Sequence, residues 1–258
     1  VVVSAMSGVT NSLIGCIRDR PPIEGVLASL RDRYSSSAKM IMSPPLFAEY
    51  GEALDSSLDD LRIVLNARWK VAADPLLDDA ISSWGERLSS LTMAYVLRSR
   101  GVDSVPLTSE KAGIVAQGTP GNGSADLDAT HRNLRNNVLP LLEKHTAVVL
   151  TGYYGCDEHG RPVTFGRGGS DYSGSVVAYG TDADCCEIWT DVNGFMTADP
   201  RAVPSAKCIE EMDYNEAAEL AYFGAKVLHP RTVEPVRRKG IPLMVKNTFN
   251  PEARGTLI

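Results

Sequence analysis

Short apolar runs alternate along this chain with longer stretches in which apolar residues recur at helical spacing. Five runs predict strands, because each is apolar, only a few residues long and bounded by polar or turn residues: 1–5, 103–107, 147–151, 185–190 and 241–246. The first is followed by a glycine turn and a helical stretch, an order typical of parallel sheets. The alternation predicts an α/β fold with a mostly parallel sheet covered by helices on both faces.

The clearest helical pattern starts at Asp74-Pro75 and continues past Tyr95 along one apolar face. Asp74 is a candidate N-cap, Pro75 suits the first helical position, and Gly101 can end the helix. Further helices are predicted at 26–33, 46–69, 126–138, 172–179, 215–222 and 231–239. Loops are predicted at 35–45 and 118–123, a hairpin tip at 157–160, and a helix end at Pro140.

Composition and charge exclude several classes of protein. The chain has 258 residues, enough for one large domain or two joined lobes. No apolar run approaches the roughly 18 residues that span a bilayer, and the start is not that of a signal peptide. The net charge of −6 favours neither nucleic acid nor anionic membrane as a partner. Five cysteines without a C-x-x-C pair predict reduced, buried thiols in a cytoplasmic protein, and Cys185 and Cys186 should face opposite sides of a strand.

The stretch Gly166-Arg167-Gly168-Gly169-Ser170-Asp171 stands directly before a predicted helix. Glycines let the backbone approach a ligand, and the helix N-terminus favours an anion. Arg167 adds a bidentate donor for a carboxylate or phosphate, and Asp171 could cap the helix or organise cations. An ordinary glycine-rich turn with a capping aspartate explains the pattern about equally well. The stretch is not a Walker A loop, because the G-K-[ST] ending is missing.

Two later segments carry weaker signals. Thr190 and Asp191 follow a buried strand at the edge where α/β sheets place ligands, and Arg201 could pair with phosphate. An Asn-Gly turn with solvated charges is the simpler interpretation there. Lys226 lies between two apolar stretches and could neutralise phosphoryl oxygens, although a surface lysine is the simpler interpretation. His229 before Pro230 is predicted to form structural hydrogen bonds.

Near the N-terminus, Ser4, Ser7 and Thr10 offer hydroxyls that could bind a carboxylate, and helix capping is the alternative. Glu86, on the clearest helix, could bind the ammonium group of an amino acid. A solvated helix glutamate is the simpler explanation.

Taken together and in order, six stretches resemble the aspartate kinases of the amino-acid kinase family: 2–11, 85–89, 166–173, 189–201, 223–230 and 249–258. The resemblance implies a three-layer α/β/α sandwich with a mostly parallel central sheet, the amino-acid kinase fold. It implies one catalytic domain over 1–258, with 1–165 mainly an aspartate-binding lobe and 166–258 mainly an ATP-binding lobe.

The resemblance also assigns residues to the site. Those for aspartate are Ser7, Thr10, Glu86, Arg167, Gly169, Ser170 and Asp171. Those for the nucleotide are Thr190, Asp191, Met196, Arg201, Gly224, Lys226 and Val227. The catalytic ones are Arg167, Asp171 and Lys226.

By the same resemblance, the β-carboxylate of L-aspartate attacks the γ-phosphate of ATP, the first step toward lysine, threonine and methionine. A carboxylate is already ionised at neutral pH, so no general base is needed, and Mg²⁺ comes with ATP. The family usually forms homodimers. A non-catalytic ligand-binding subunit, or a kinase for another small acid, are the alternatives.

The sequence departs from the aspartate kinases in two places. Their first strand carries Lys-Phe-Gly-Gly-Thr-Ser, and this chain starts after that point. We therefore expect the sheet to lack a strand and the site to lack a cation. Met196 occupies a position where tyrosine is common, so some contact with ATP is expected to be lost. The chain stops where the kinase core usually ends, before the regulatory ACT domains of many members, and no inhibition through such a domain is expected.

Overall fold

The computed structural model of the protein describes residues 1–198, 203, 205–222 and 227–258. The strands are β1 (Val2–Val3), β2 (Ser104–Leu107), β3 (Ala116–Thr119), β4 (Asn122–Ala125), β5 (Ala147–Thr151), β6 (Tyr154–Cys156), β7 (Pro162–Thr164), β8 (Cys186–Thr190), β9 (Leu243–Asn247) and β10 (Thr256–Leu257). The helices are α1 (Val9–Asp19), α2 (Ile23–Lys39), α3 (Pro44–Trp69), α4 (Pro75–Ser82), α5 (Trp84–Ser99), α6 (Ser109–Ala112), α7 (Leu127–Asn137), α8 (Leu139–Leu142), α9 (Gly169–Thr181), α10 (Tyr214–Tyr222) and α11 (Val233–Lys239), with a 3₁₀ turn at Pro230–Thr232.

The main strands form two hydrogen-bonded groups. In the first, β1 and β2 both run parallel to β5, which lies between them. In the second, β8 runs parallel to β9, and β10 pairs with β9 in the antiparallel direction. Two small antiparallel pairs, β3 with β4 and β6 with β7, stand apart from them. The expected mostly parallel sheet is confirmed.

Helices cover both faces of the β1-β5-β2 group. Val148 and Leu150 of β5 pack into an apolar cluster with residues of α7 and α9. On the other face, α5 packs against β2 and β5, and it joins a second cluster with α1, α2 and α3. Side chains alternate between the faces of a strand, so one sheet serves both clusters. The three-layer α/β/α sandwich is confirmed.

A cavity of about 940 Å³ separates the two strand groups. It is lined by β1, by β8 and by the side of α9 that carries Gly174 and Val177. β1 and β8 are the end strands of their groups, and within the described ranges no strand pairs with the edge that each leaves free. An extended strand placed between these edges would join the groups into one sheet. The expected missing strand stays a prediction.

The long helix predicted from Asp74 to beyond Tyr95 is instead two helices, α4 and α5. Asp74 caps the first as predicted, because its Oδ1 accepts hydrogen bonds from the amides of Leu76 and Leu77 at 3.0 and 3.2 Å. The break falls at Ser83. Its hydroxyl donates to the carbonyl of Ala80 at 2.9 Å, a local bond that competes with helix continuation.

Three boundaries also differ from the predictions. The predicted loop at 35–45 begins with the end of α2, because the fully buried Tyr34 and Ala38 keep that helix in the core to Lys39. The predicted loop at 118–123 contains parts of β3 and β4. Pro140 does not stop helical structure, since it lies in the first turn of α8, where a missing N–H costs nothing.

The five cysteines form no disulfide. Cys186 is buried and Cys185 exposed, so the prediction that they face opposite sides is confirmed. The expectation that all five thiols are buried is wrong, because only Cys156 and Cys186 are. Within the described part of the chain, no helix has both the length and the apolar character needed to cross a bilayer.

Candidate active site

The glycine loop, residues 166–171, comprises the turn before α9 and the first three residues of that helix. Gly166 and Gly168 both have φ of 71°, a left-handed conformation that favours glycine. Space is restricted as well. A Cβ on Gly168 would lie 2.5 Å from the Cβ of His229, and one on Gly166 would lie 2.7 Å from the carbonyl oxygen of Gly121. The loop therefore needs glycine for its backbone angles and for close packing.

Ser170 and Asp171 stand on the first turn of α9, and both line the cavity. The N-cap position is Gly168 and no side chain caps this helix, so the interpretation of Asp171 as a cap is wrong. Burial raises the pKa of the Asp171 carboxyl above its ordinary value. A partly desolvated carboxylate and a helix N-terminus thus face the same space.

Glu86 is buried on α5, with 3% of its surface exposed. Its Oε1 accepts a hydrogen bond from the amide of Ala5 at 3.1 Å, whereas its buried Oε2 has no hydrogen-bond partner within the described chain. Burial raises the pKa of this carboxyl to about 7. The interpretation of Glu86 as a solvated helix residue is therefore wrong. A buried acceptor without a partner is costly, and it suits a ligand that carries a hydrogen-bond donor.

Close backbone packing brings three elements together around Glu86. A Cβ on Gly85 would lie 2.6 Å from the Cβ of Ala5, so α5 approaches the residues after β1 closely. A Cβ on Gly152 would lie 3.0 Å from the carbonyl oxygen of Val3 and 3.1 Å from the Cα of Ser170. The carboxyl end of β1, the start of α5 and the start of α9 therefore meet at one edge of the sheet.

Ser7 and Thr10 lie at the start of α1, next to this meeting point. Gly8 has φ of 81° and forms the N-cap position of α1. Val9 follows, and its Cγ1 would lie 3.1 Å from a Cβ on Gly85, which places the start of α1 against α5. The carbonyl of Ser7 accepts a hydrogen bond from Arg33, and the side chain of Thr10 is half-buried.

Arg167, between Gly166 and Gly168, is exposed, and it lies near enough to His229 for its charge to act on that ring. Burial lowers the pKa of His229, and the positive charges of Arg231 and Arg167 lower it further. The Nδ1 of His229 accepts a hydrogen bond from the amide of Arg231 at 3.3 Å. The prediction of a structural hydrogen-bonding role for His229 is confirmed.

Of the residues predicted for the nucleotide, the structure describes Thr190, Asp191, Met196 and Val227. Thr190 ends β8, and its hydroxyl donates to Asp191 at 3.3 Å. Met196 forms an isolated bridge with Cys208, and Val227 packs against the apolar cluster of the second strand group. The predictions for Arg201, Gly224 and Lys226 fall outside the described residues.

β8, which leads to Thr190, and the start of α9 line the same cavity. Glu187 and Trp189 of β8 line the cavity together with Ser170 and Asp171. Gly152, directly after β5, also lies close to Ser170, as described above. The N-terminal turn of α9 therefore adjoins both the carboxyl end of β5 and the cavity that β8 lines.

Tyr153 packs against the start of α9, and the sequence patterns did not predict a role for it. It has φ of 74°, uncommon for a residue with a side chain, and its ring would lie 2.9 Å from a Cβ on Gly169. Burial raises the pKa of its phenol, which hydrogen bonds with Thr164 and Ser82 oppose. Its place directly after Gly152, at the carboxyl end of β5, was the available signal.

Asp79 was missed as well. This buried carboxylate accepts hydrogen bonds from the amide of Thr164 at 2.7 Å, the hydroxyl of Thr164 at 3.0 Å and the amide of Gly121 at 2.8 Å. It thereby ties both small hairpins to α4. Gly121, which Asp79 holds, packs against Gly166. Asp79 therefore supports the glycine loop indirectly, through Gly121.

In the parts of the chain that the structure describes, no three His, Cys, Asp or Glu side chains are grouped as metal ligands.

Comparison with known proteins matches this chain to one family. Residues 1–247 match the Amino acid kinase family. The lysine-sensitive aspartokinase 3 of Escherichia coli K12 is 35% identical over all of this chain, which covers 57% of that relative. An aspartokinase of Mycolicibacterium smegmatis is 36% identical over 80% of this chain, and the match covers 48% of that relative. This chain therefore spans about half the length of these two relatives.

Comparison with solved structures also finds similarity to aspartate kinases. E. coli aspartokinase III in complex with aspartate and ADP superposes with a TM-score of 0.88 at 34% identity, covering 99% of this chain and 56% of that one. The aspartate kinase of Clostridium acetobutylicum superposes with a TM-score of 0.76 at 29% identity, covering all of this chain and 55% of that one. On the family match over residues 1–247, this chain belongs to the amino acid kinase family.

Proposed function

We propose that this chain is the catalytic core of an aspartate kinase, which transfers the γ-phosphoryl group of ATP to the β-carboxylate of L-aspartate. The supporting observation is the superposition of 99% of the chain on an aspartokinase structure that holds aspartate and ADP. The geometry around Glu86 and the start of α9 provides separate support, because it offers the chemical groups that an acidic amino acid requires.

Aspartate carries two carboxylates and one ammonium group, and the site offers partners for both kinds of charge. The buried Oε2 of Glu86 has no partner among the described residues and would accept a hydrogen bond from the ammonium group. The glycine loop and the N-terminus of α9 offer backbone donors and a partial positive charge to a carboxylate. Arg167 supplies the permanent positive charge of the loop and would bind a carboxylate through two parallel hydrogen bonds. Ser7, Thr10, Gly169, Ser170 and Asp171 complete the proposed aspartate set.

In the reaction, a β-carboxylate oxygen of aspartate forms a bond to the γ-phosphorus, and the bond from that phosphorus to the β–γ bridging oxygen breaks. The products are aspartyl phosphate and ADP. The nucleophile is ionised at neutral pH, so the protein need not remove a proton. Its contribution is to hold the two reactants in line and to place positive charge around the phosphoryl oxygens. Lys226 and Arg167 are the proposed cations, and Asp171 would orient them.

The nucleotide would lie on the β8 side of α9. Thr190, Asp191, Met196 and Val227, with Arg201, Gly224 and Lys226, form the proposed nucleotide set. The Mg²⁺ ion would come with ATP, since it prefers phosphate oxygens and bound water over a cage made only of protein ligands. When bound, it neutralises the charge of the triphosphate.

We further propose that residues 1–165 mainly serve aspartate and residues 166–258 mainly serve ATP. We place the protein in the cytoplasm, as a homodimer in the biosynthesis of lysine, threonine and methionine. Aspartate and ATP are the proposed ligands, and neither nucleic acid nor membrane is a proposed partner.

The function is tested by ADP release, measured with a coupled assay in Mg²⁺ buffer with L-aspartate, L-glutamate or N-acetylglutamate as acceptor. We expect release that depends on aspartate and is much weaker with the two longer acids. Equal or greater release with glutamate or acetylglutamate would contradict the acceptor assignment. Calorimetry with aspartate and ATP tests the non-catalytic alternative, which predicts that both ligands bind and neither is consumed.

A further inference from the structure

Arg231 lies in the 3₁₀ turn after His229 and Pro230, and its side chain reaches back to the glycine loop. Nη1 donates to the carbonyl oxygen of Phe165 at 3.1 Å, and Nη2 donates to the carbonyl of Gly123 in β4. The guanidinium carbon stands 4.9 Å from the centre of the Tyr172 ring. One planar group thus contacts the residue before the loop, the first full turn of α9 and the neighbouring hairpin.

The contacts of Arg231 fall on both ends of the glycine loop. Phe165 is the last residue before Gly166, and Tyr172 follows Asp171. Their rings meet edge to face, with centroids 5.2 Å apart. The hydroxyl of Tyr172 accepts a hydrogen bond from the amide of Ala125 at 3.1 Å, which anchors this end of the loop to β4. Residues 166–171 therefore lie between Phe165 and Tyr172, and Arg231 contacts the carbonyl of the first and the ring of the second.

The same turn also packs on the middle of the loop. A Cβ on Gly168 would meet His229, whose Nδ1 is fixed by the backbone amide of Arg231. Loss of the Arg231 side chain would therefore release the loop at its start and at its end. A lysine could replace the charge, but not the planar fork that donates in two directions while stacking on a ring.

We propose that Arg231 is a positioning residue that fixes the glycine loop, and with it Arg167, Ser170 and Asp171, in the geometry that binds the acceptor carboxylate. This role rests on the proposed function. Arg231 itself contacts backbone carbonyls and Tyr172, and it acts on the acceptor only through the loop. Its loss should therefore weaken acceptor binding selectively, and leave the β8 side of the site unchanged.

The first test needs no substrate. Amide hydrogen exchange is compared between the wild-type chain and Arg231→Met, with Arg238→Met as the matched control. Arg238 pairs with Glu234 on the exposed face of α11. We expect exchange across residues 166–171 to rise on the order of tenfold in Arg231→Met only, with α5 unchanged. Unchanged loop exchange in Arg231→Met would overturn the proposal. Should Arg231→Met fail to fold, Arg231→Lys is measured in the same way.

The second test is kinetic. In Arg231→Met the KM for aspartate should rise on the order of tenfold while the KM for ATP stays within about twofold, and Arg231→Lys should recover part of the loss. Equal increases of both KM values, or none, would overturn the positioning role. If the wild-type chain does not phosphorylate aspartate, the proposed function fails, and hydrogen exchange still decides whether Arg231 holds the loop.

Discussion

The backbone amide of Ala5 donates to the Oε1 of Glu86 at 3.1 Å, and this bond joins the chain after β1 to α5. It uses one oxygen of a buried carboxylate and leaves the other without a partner in the described chain. Burial raises the pKa of Glu86 to about 7, so this group is partly protonated near neutral pH. A bound ammonium group would favour the ionised form of Glu86, so the carboxyl would release its proton on binding.

Aspartate affinity should therefore depend on pH through Glu86. Only the ionised carboxylate attracts the ammonium group, so the dissociation constant for aspartate should rise as pH falls below about 7, approaching tenfold per pH unit. Above pH 8 it should level off. Calorimetry from pH 5.5 to 8.5, in two buffers of different ionisation enthalpy, measures the affinity and the protons released.

Glu86→Gln is the control for this effect. The amide keeps the shape and can still accept from Ala5, but it does not titrate. Its aspartate affinity should be weak and independent of pH over that range. A wild-type affinity that does not change with pH would contradict the role assigned to Glu86.

Glu86 should also lower stability at high pH. Its folded pKa of about 7 lies above the ordinary value of 4.5, so the folded chain binds more protons than the unfolded chain between these pH values. The contribution of Glu86 to the free energy of unfolding therefore falls as pH rises through this window. Glu86→Gln should gain stability relative to wild type by more than about 1 kcal/mol between pH 5 and pH 8, since each pKa unit corresponds to about 1.4 kcal/mol. Urea unfolding at both pH values measures this, and a difference that does not change with pH would contradict the raised pKa.

Arg167→Ala should raise the aspartate requirement far more than the ATP requirement. Removal of a bidentate charged contact costs on the order of 2 kcal/mol, which corresponds to about thirtyfold in the KM for aspartate. Arg161→Ala is the matched control, because Arg161 is also exposed and its ion pair in the described part of the chain is with Asp157 at a hairpin tip. Steady-state kinetics with each substrate varied separately gives both KM values. Similar increases in both would argue against a carboxylate clamp.

Gly168→Ala should impair the site more than Gly160→Ala does. Both glycines have positive φ, of 71° and 74°, so the backbone cost of alanine is alike, about 1 kcal/mol. Only Gly168 packs on a neighbour, His229, whereas a Cβ on Gly160 would meet open space. We expect Gly168→Ala to reduce kcat/KM for aspartate at least about tenfold and Gly160→Ala to leave it near wild type. Equal loss in both variants would show that packing on His229 is unimportant.

The elements that could be predicted from the sequence are those whose signals are local. β5 was predicted with its observed bounds, because its apolar run is short and bounded by polar residues. Asp74 was recognised as a cap from its own neighbours. The break at Ser83 could not be predicted, because the apolar face continues across it. The hydrogen bond of the Ser83 hydroxyl does not change the spacing of apolar residues.

The site was predictable only in part, for a related reason. The resemblance to aspartate kinases pointed to Glu86 and to the glycine loop. The burial of Glu86 depends on Ala5 approaching Gly85, a contact between distant parts of the chain. Asp79 bonds to Thr164, 85 residues later in the sequence. Arg231 bonds to Gly123, 108 residues earlier. No local pattern reveals such pairs.

The central claim concerns which atom is phosphorylated, and product identification tests it most directly. The chain is incubated with ATP, Mg²⁺ and L-aspartate, and the acyl phosphate is reduced with borohydride before amino-acid analysis. Phosphorylation of the β-carboxylate predicts homoserine, formed only when both substrates are present. ADP formation without homoserine, or reduction at the α-carboxyl carbon instead, would contradict the proposed reaction.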